Sequence, residues 1–365
     1  MKRMDSMLYL RLWMCLSLSL FSQATWAAPC TTDTAMCTEW ITVGGGPERA
    51  LVYRTYSLDV KNEGITRALV VIHGGSRNAG NQFRNALAAG FLAGALENTV
   101  VISPRFASNY ASNCRDTLAT NELNWKCQWE PDDWRLGGAA IDDGKITSFD
   151  IADEILRKLA RKEAFPNLRN IVVAGHSGGG SFVARYAMAN QVHDRLGVPV
   201  TYVAGNPPHY TFLDGMRPAP SAVPSTVAAA APGVVPLPST KPPALFIPFA
   251  DAGNCIAYNE WPYGLQNRTG YSARLTDEQL KRHLAARQVT YLVGELDVFP
   301  IANLDVSCSA MAQGPTRLAR GLAFGKHVNE RFGAQHKTQV VRRCGHDARC
   351  MFTAEPVLPL MFLKE

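Results

Sequence analysis

The sequence predicts an α/β fold, with a mostly parallel central sheet flanked by helices. Six short runs rich in valine and isoleucine show little polar alternation, which is typical of strands buried on both faces of a parallel sheet. The predicted strands are 68–72, 99–103, 170–175, 199–204, 289–293 and 338–341. Helical patterns separate several of these strands, so we expect right-handed crossover connections.

The composition is that of a folded globular protein. The 365 residues are 47% hydrophobic and 19% charged, unlike a disordered or fibrous chain. The formal net charge is +6. Lys2, Arg3 and Arg11 against Asp5 account for two of these charges and leave +4 on the rest of the chain. This balance is too mild to indicate a nucleic-acid partner.

The first 27 residues have the layout of a secretory signal peptide. Lys2 and Arg3 precede an apolar stretch at 12–21, and small residues suit cleavage after Ala27. A membrane anchor is the alternative, but the stretch is about half of the roughly 20 residues that a membrane span requires. We therefore predict a secreted or periplasmic protein without stable membrane insertion, with 28–365 as the mature chain.

Cysteine usage is consistent with export. Eight cysteines remain once the leader, with Cys15, is removed, and an even count in an exported chain favours disulfides. The sequence does not fix their connectivity, so pairing between neighbours is only an expectation. The expected pairs are Cys30 with Cys37, Cys114 with Cys127, Cys255 with Cys308, and Cys344 with Cys350. Their spacing matches no zinc motif, so no metal site is predicted.

A helix is predicted at 148–162. Ile151, Ile155 and Leu159 fall on one stripe, and Ser148 stands at the N-terminal end, where it can cap free backbone amides. The segment therefore packs one apolar face against the sheet.

A proline- and alanine-rich segment interrupts the alternation at 217–243. Its composition suits neither a strand ladder nor a stable long helix. The whole connection between the strands at 199–204 and 289–293 is about 80 residues, longer than ordinary connections. We predict a single domain over 28–365 with a cap-forming insertion at about 206–288.

The strand at 170–175 runs directly into a Gly-x-Ser-x-Gly motif. Gly175 and Gly179 allow Ser177 to occupy a tight, strained strand-to-helix turn, because side chains at those positions would collide with neighbouring backbone. The turn raises the hydroxyl out of the sheet and places a helix N-terminus beneath it. Free N–H groups there can stabilise developing negative charge, so the pattern predicts a nucleophilic serine.

This strand, motif and helix resemble the nucleophile elbow of the α/β-hydrolase superfamily. The resemblance covers roughly 41–363 and implies that fold, with an acid and then a histidine downstream of the serine. A serine hydroxyl needs a base, and the base needs an orienting acid. The strand at 289–293 ends in Gly-x-x-Asp, similar to the family's acid-bearing turn. Asp297 is therefore the expected acid and Glu295 the alternative.

His346 is the expected base. It follows the strand at 338–341 within a Gly-His-Asp sequence that resembles the turn after the last strand in many family members. His209 lies near the boundary of the insertion and could contact substrate, but it follows the wrong strand for a base.

The loop after the strand at 68–72 resembles the His-Gly-Gly loop of esterases and lipases. By that resemblance, the oxyanion hole combines the N–H of Gly178 with that of Gly75 or Ser76. His73 is expected to hold this loop and not to react.

Two aromatic clusters are candidates for the substrate pocket. One lies in 124–134 and the other in the insertion, where this fold places loops over the nucleophile. Packing of the insertion onto the domain is the alternative. The candidate pocket residues are Trp129, Trp134, Tyr258 and Trp261.

The resemblance implies a secreted serine hydrolase that cleaves carboxylic esters through an acyl-enzyme intermediate, without metal or other cofactor. Esters come first because alcohols leave more readily than amines and because the His-Gly-Gly loop is esterase-like. The substrate would be a small-molecule or polymeric ester, since the layout resembles secreted polyester depolymerases and feruloyl esterases. A serine peptidase of the same fold and a noncatalytic binding protein on a hydrolase scaffold are the alternatives.

Overall fold

The structure, a computed structural model, describes residues 28–128, 130–220, 239–301 and 304–363. The expected signal peptide and Trp129 lie outside these residues. The strands are β1 (Thr38–Thr42), β2 (Arg49–Arg54), β3 (Arg67–Ile72), β4 (Thr99–Pro104), β5 (Asn170–His176), β6 (Val200–Gly205), β7 (Met216–Pro218), β8 (Phe246–Pro248), β9 (Gln288–Gly294) and β10 (Lys337–Val341). Eight of them form one sheet in the order β1-β2-β4-β3-β5-β6-β9-β10.

The prediction of a mostly parallel sheet is confirmed. The run from β4 to β10 is parallel throughout, and its six strands are those expected from the valine-rich segments. β1 and β2 add an antiparallel edge that the sequence analysis missed. Most of their residues are partly buried or exposed, and only Ile41, Ala50 and Val52 are buried. They therefore lack the continuous apolar run that marks a central strand.

Helices cover both faces of the sheet. They are α1 (Ala79–Leu92), α2 (Ser148–Ala160), α3 (Gly178–Ala189), α4 (Asp277–Ala286), α5 (Cys308–Met311), α6 (Arg317–Phe332), α7 (Ala348–Thr353) and α8 (Leu358–Met361). Alternate residues of β3 point into two separate apolar clusters: Val70 lies with side chains of α2, α3, α4 and α6, whereas Val71 lies with those of α1, α7 and α8. The sheet therefore has a hydrophobic core on each side. No described helix has the length and apolar character needed to cross a bilayer.

The long connection between β6 and β9 contains β7 and β8, which pair with each other outside the main sheet. The expectation that 217–243 forms no strand is wrong at its start, because Arg217 pairs with Ile247 and Pro218 with Phe246. A proline is tolerated in a two-stranded pair, where one edge of each strand has no partner. Residues 221–238 lie outside the described part.

Four cysteine pairs fit disulfides, and the expected pairing of neighbours is confirmed. The Cα atoms are 5.4 Å apart in Cys30–Cys37, 6.6 Å in Cys114–Cys127, and 5.8 Å in both Cys255–Cys308 and Cys344–Cys350. These separations are typical of disulfides.

A buried carboxyl group joins α2 to α3 and to the insertion. Tyr186 donates its hydroxyl hydrogen bond to Asp153 at 2.7 Å, and Tyr271 donates to the other carboxyl oxygen at 2.6 Å. Burial raises the pKa of Asp153 to about 6, although both tyrosine hydrogen bonds oppose the shift. The folded protein therefore favours the protonated carboxyl more strongly than the unfolded chain does.

Asp153→Asn should change how stability depends on pH. Asp153 contributes most stability below about pH 4, and that contribution falls as the pH rises through about 6, by roughly 2–3 kcal/mol for a shift of this size. The free energy of unfolding, measured in urea between pH 4.5 and 7.5, should therefore fall less for the variant than for the wild type. Glu154→Gln, next to it on α2 and less buried, is the control. Parallel profiles for Asp153→Asn and wild type would contradict the assignment.

Candidate active site

Ser177 occupies a strained turn between β5 and α3. Its φ of 58° and ψ of −117° lie in a backbone region that residues other than glycine rarely adopt. Glycines make the turn possible: a Cβ atom at Gly175 would overlap the Gly179 carbonyl, and one at Gly179 would overlap the Ile72 carbonyl. The turn therefore holds the hydroxyl above the carboxyl end of the sheet.

Ser177, His346 and Asp297 form a continuous hydrogen-bonded chain. His346 Nε2 lies 2.9 Å from Ser177 Oγ, and His346 Nδ1 lies 2.7 Å from Asp297 Oδ2. The three side chains follow β5, β10 and β9, whose carboxyl ends lie at the same edge of the sheet. Asp297 is 1% exposed, so its carboxylate acts on the imidazole at low dielectric.

Glu295, the alternative acid, faces away from this chain. Its Oε2 accepts the backbone N–H of Arg343 at 2.8 Å. Arg343 has a positive φ of 60° and lies in the turn between β10 and His346. Glu295 therefore secures the segment that carries the histidine.

The glycine loop after β3 lies against the start of α3. A Cβ atom at Gly178 would come within 3.1 Å of the Gly75 nitrogen, which shows how closely the two backbones approach. Gly75 and Ser76 border the same cleft as Ser177. Backbone amides of a loop and of a helix start thus lie beside the serine, an arrangement able to stabilise an oxyanion.

His73 anchors this loop. Its Nδ1 lies 2.9 Å from the Gly74 carbonyl, and its Nε2 accepts the Phe106 N–H at 3.1 Å. Burial lowers the pKa of His73 to about 4. The neutral ring can therefore donate at one nitrogen and accept at the other.

The model of the alpha/beta hydrolase family matches residues 69–358. The chain belongs to this family. Comparison with curated proteins finds no match.

Two solved structures share the hydrolase fold. A poly(3-hydroxybutyrate) depolymerase, LpqC from Bordetella parapertussis, has a TM-score of 0.54 at 19% identity, covering 87% of this chain and 85% of its own. Poly(aspartic acid) hydrolase-1 from Sphingomonas sp. KT-1 has a TM-score of 0.54 at 20% identity, covering 86% of this chain and 94% of its own. At such identities the likeness extends to the fold alone.

Asn206, which the sequence analysis did not identify, joins three parts of the hydrolase site. Its Nδ2 donates to His176 Nε2 at 3.3 Å and to the Gly345 carbonyl at 3.2 Å, and its Oδ1 accepts the Gly294 N–H at 2.8 Å. The residue is fully buried, with a φ of 44°. It thus links the serine turn to the segments carrying the acid and the histidine. Its position two residues after the predicted strand at 199–204 is a weak signal in the sequence.

Arg317 is a second residue that the sequence analysis missed. At the start of α6, it donates to Asp297 Oδ1 at 3.3 Å and to the Ile301 carbonyl at 3.0 Å. Both members of the ion pair are buried, with side chains at most 1% exposed. Burial lowers the pKa of the guanidinium, and the Asp297 carboxylate opposes that shift. Arg317 therefore places a positive charge behind the acid.

The aromatic candidates for the pocket do not border the cleft around Ser177. Trp134 is fully buried and stacks on Phe106 with centroids 5.1 Å apart. Trp261 is buried and donates its Nε1–H to the Pro131 carbonyl. Tyr258 packs against Phe249 at 4.9 Å. None of these three residues lines the cleft. The two tryptophans are buried in the protein, and the partly buried Tyr258 packs against Phe249.

His209 also lies away from this cleft. It is buried, and its Nδ1 accepts from Arg185 at 2.9 Å while its ring packs against Tyr263. These contacts indicate a structural role, and His209 does not line the cleft beside Ser177.

The cleft has a volume of about 990 Å³. Polar residues from α1, α7 and the loops that follow β3 and β4 surround its opening. Its lining consists of Gly74, Gly75, Ser76, Arg77, Asn81, Gln82, Asn85, Asn113, Cys114, Cys127, Gln128, Arg135, His176, Ser177, His346, Asp347, Ala348 and Arg349.

Asn206→Ala should destabilise the protein by about 2–4 kcal/mol. The substitution leaves buried partners at His176, Gly294 and Gly345 unpaired and forces alanine into a positive φ. Urea unfolding measures the loss. Asn206→Gly accepts the same φ without strain, so the difference between the variants isolates the backbone contribution. A loss below about 0.5 kcal/mol in both would show that the three contacts do not hold the site together.

Proposed function

We propose that the protein is a secreted serine hydrolase that cleaves carboxylic esters through an acyl-enzyme intermediate. The hydrogen-bonded chain from Ser177 through His346 to Asp297 is the observation that carries the proposal. A serine in a strained turn, beside a histidine that is bonded to a buried acid, has the arrangement of an activated nucleophile.

The proposed reaction has two steps. Ser177 Oγ bonds to the acyl carbon while its proton passes to His346 Nε2, and the imidazolium returns that proton to the departing alkoxide as the C–O bond breaks. Water then attacks the acyl carbon and gives a proton to His346. The bond from the acyl carbon to Ser177 Oγ breaks, and Ser177 Oγ takes that proton from the His346 imidazolium. Asp297 keeps the imidazole oriented and stabilises its positive charge.

The oxyanion of each tetrahedral intermediate would bind the N–H of Gly178 and that of Gly75 or Ser76. The closeness of Gly178 to the Gly75 nitrogen supports this role. These dipoles are fixed before the reaction and need no reorganisation when charge develops.

A location outside the cytoplasm is part of the proposal. The leader at 1–27 has the composition of a signal peptide. Four cysteine pairs at disulfide distance suit an oxidising compartment. We also propose that 28–365 is one catalytic domain, in which the insertion at about 206–288 forms a cap.

The proposed substrate is a small-molecule or polymeric ester. LpqC and poly(aspartic acid) hydrolase-1 are both named for polymer substrates, a polyester in one and poly(aspartic acid) in the other. Amide hydrolysis by the same site, as in a serine peptidase, is therefore the second candidate.

Hydrolysis of 4-nitrophenyl esters from acetate to palmitate tests the proposal. The wild type should release 4-nitrophenolate, and Ser177→Ala should lower kcat by about 10⁴-fold or more because the nucleophile is gone. Ser181→Ala, one turn along α3 and fully buried, is the matched control and should retain activity.

The same samples separate the alternatives. Cleavage of aminoacyl 4-nitroanilides in preference to esters would favour a peptidase. Absence of both turnover and labelling of Ser177 by a fluorophosphonate would favour a noncatalytic scaffold and overturn the proposal.

Arg317→Met should lower kcat by about ten- to a hundredfold with little change in KM. The guanidinium holds Asp297 in place, so its loss leaves the acid uncompensated in a buried site, away from the bound substrate. Arg317→Lys should restore part of the activity. Arg320→Met is the control, since Arg320 is equally buried one turn later but binds backbone carbonyls of Pro208, Gly314 and Asp305. Equal losses of kcat in both methionine variants would indicate a general structural effect.

A further inference from the structure

Most of the described residues that line the cleft over Ser177 have polar or charged side chains. Apart from glycines, Ala348 and the Cys114–Cys127 disulfide, every described residue of its lining has a polar or charged side chain. An alkyl chain gains stability on binding in proportion to the apolar surface that it buries against. Such walls therefore favour substrates that form hydrogen bonds close to the reacting ester.

Two amide side chains of α1 contribute to this lining. Gln82 and Asn85 are three residues apart, so they share one face of the helix. They are only 4% and 7% exposed. Gln82 Nε2 is buried without a hydrogen-bond partner among the described residues. An unpaired buried donor costs about 1–3 kcal/mol. Because Gln82 borders the cleft, rotation of its side chain would let this amide bind an acceptor there.

Arg349 supplies a further donor on the same cleft. It lies on α7 and is exposed, and the described residues offer it no ion pair. The other two arginines of the lining are engaged, Arg77 with Asp116 at 2.8 Å and Arg135 with Asp133.

The acidic group nearest to Arg349 in sequence is itself engaged. The Asp347 carboxylate accepts the backbone N–H of Cys350 at 2.6 Å and thereby caps the start of α7. Since no carboxylate of the described residues pairs with the Arg349 guanidinium, this group can bind an acceptor in the cleft.

We infer that Gln82 and Arg349 form a subsite for an acceptor oxygen of the substrate, at a position separate from the reacting carbonyl. Asn85 adds a second amide beside Gln82. The substrate class is an ester whose acyl or alcohol part carries a hydroxyl, ether, carbonyl or carboxylate oxygen, in preference to an unsubstituted alkyl ester. This inference rests on the proposed ester hydrolysis.

Matched substrates test the subsite. The 4-nitrophenyl esters of 3-methoxypropanoic and pentanoic acids have chains of equal length that differ by one ether oxygen. A second comparison, between the 4-nitrophenyl half-ester of adipic acid and 4-nitrophenyl heptanoate, tests a carboxylate. These two comparisons are the ether arm and the carboxylate arm of the experiment. Each kcat/KM is divided by the hydroxide-catalysed rate of the same ester, which removes differences in intrinsic reactivity. In at least one arm, wild type should favour the oxygen-bearing ester by about tenfold or more.

The two arms distinguish a neutral acceptor from an anionic one. Preference for the ether ester indicates a neutral oxygen, and preference for the half-ester that weakens with added salt indicates a carboxylate. Either result supports the subsite.

Variants assign the preference to residues. Gln82→Leu should lower the selectivity ratio to near one, and Gln82→Glu, which offers acceptors in place of donors, should select against the half-ester. Arg349→Ala should lower the ratio mainly in the carboxylate arm. Arg342→Ala removes an arginine that is also exposed but does not border the cleft, so its ratios should match the wild type. Thermal unfolding checks each variant, and the exposed Arg349 keeps the test available if Gln82→Leu fails to fold.

Two results would overturn the inference. Turnover of pentanoate with ratios near one in both arms would remove the subsite and leave ester hydrolysis intact. Absence of turnover for every ester by the folded wild type would remove the proposed function and the subsite together.

Discussion

The close contact between the glycines of the serine turn and the neighbouring backbone is the constraint on which the site depends. Gly179 lies against the end of β3, and a Cβ atom at Gly180 would overlap the Gly205 carbonyl at the end of β6. α3 can therefore begin only where these strands end. This contact fixes the height of Ser177 above the sheet, and the carboxyl ends of β9 and β10 lie at the same level. Strain at one residue is maintained because packing on both sides leaves no alternative.

Buried hydrogen bonds complete what backbone packing begins. Asn206 connects the serine turn with the segments that follow β9 and β10. Arg317 places its charge behind Asp297, and Glu295 fixes the turn before His346. Each of these groups would be destabilising if left unpaired in the interior. The polar groups around the site thus stabilise one arrangement because the alternatives leave buried charges or dipoles without partners.

The parallel sheet could be predicted from the sequence because strands buried on both faces leave a local apolar pattern. The meeting of Ser177, Asp297 and His346 could be expected from the resemblance to the α/β-hydrolase superfamily, which implies an acid and then a histidine downstream of the serine. Asn206 and Arg317 could not be found in this way, since their roles depend on contacts with distant segments and on no local pattern. The prediction that the aromatic residues line the pocket failed for a related reason. Trp134 fits a core as well as a binding cleft, and only its packing against Phe106 decides between them.

The Cys344–Cys350 bridge has a consequence for how the histidine reaches its place. His346 lies inside the short covalent ring that the bridge closes between the end of β10 and α7. A ring of this kind has few conformations even before the surrounding chain folds. Once β10 and α7 dock, the imidazole loses little additional entropy on reaching Ser177 and Asp297. The position of His346 is therefore partly fixed by a covalent ring, whereas the positions of Ser177 and Asp297 are fixed by the sheet.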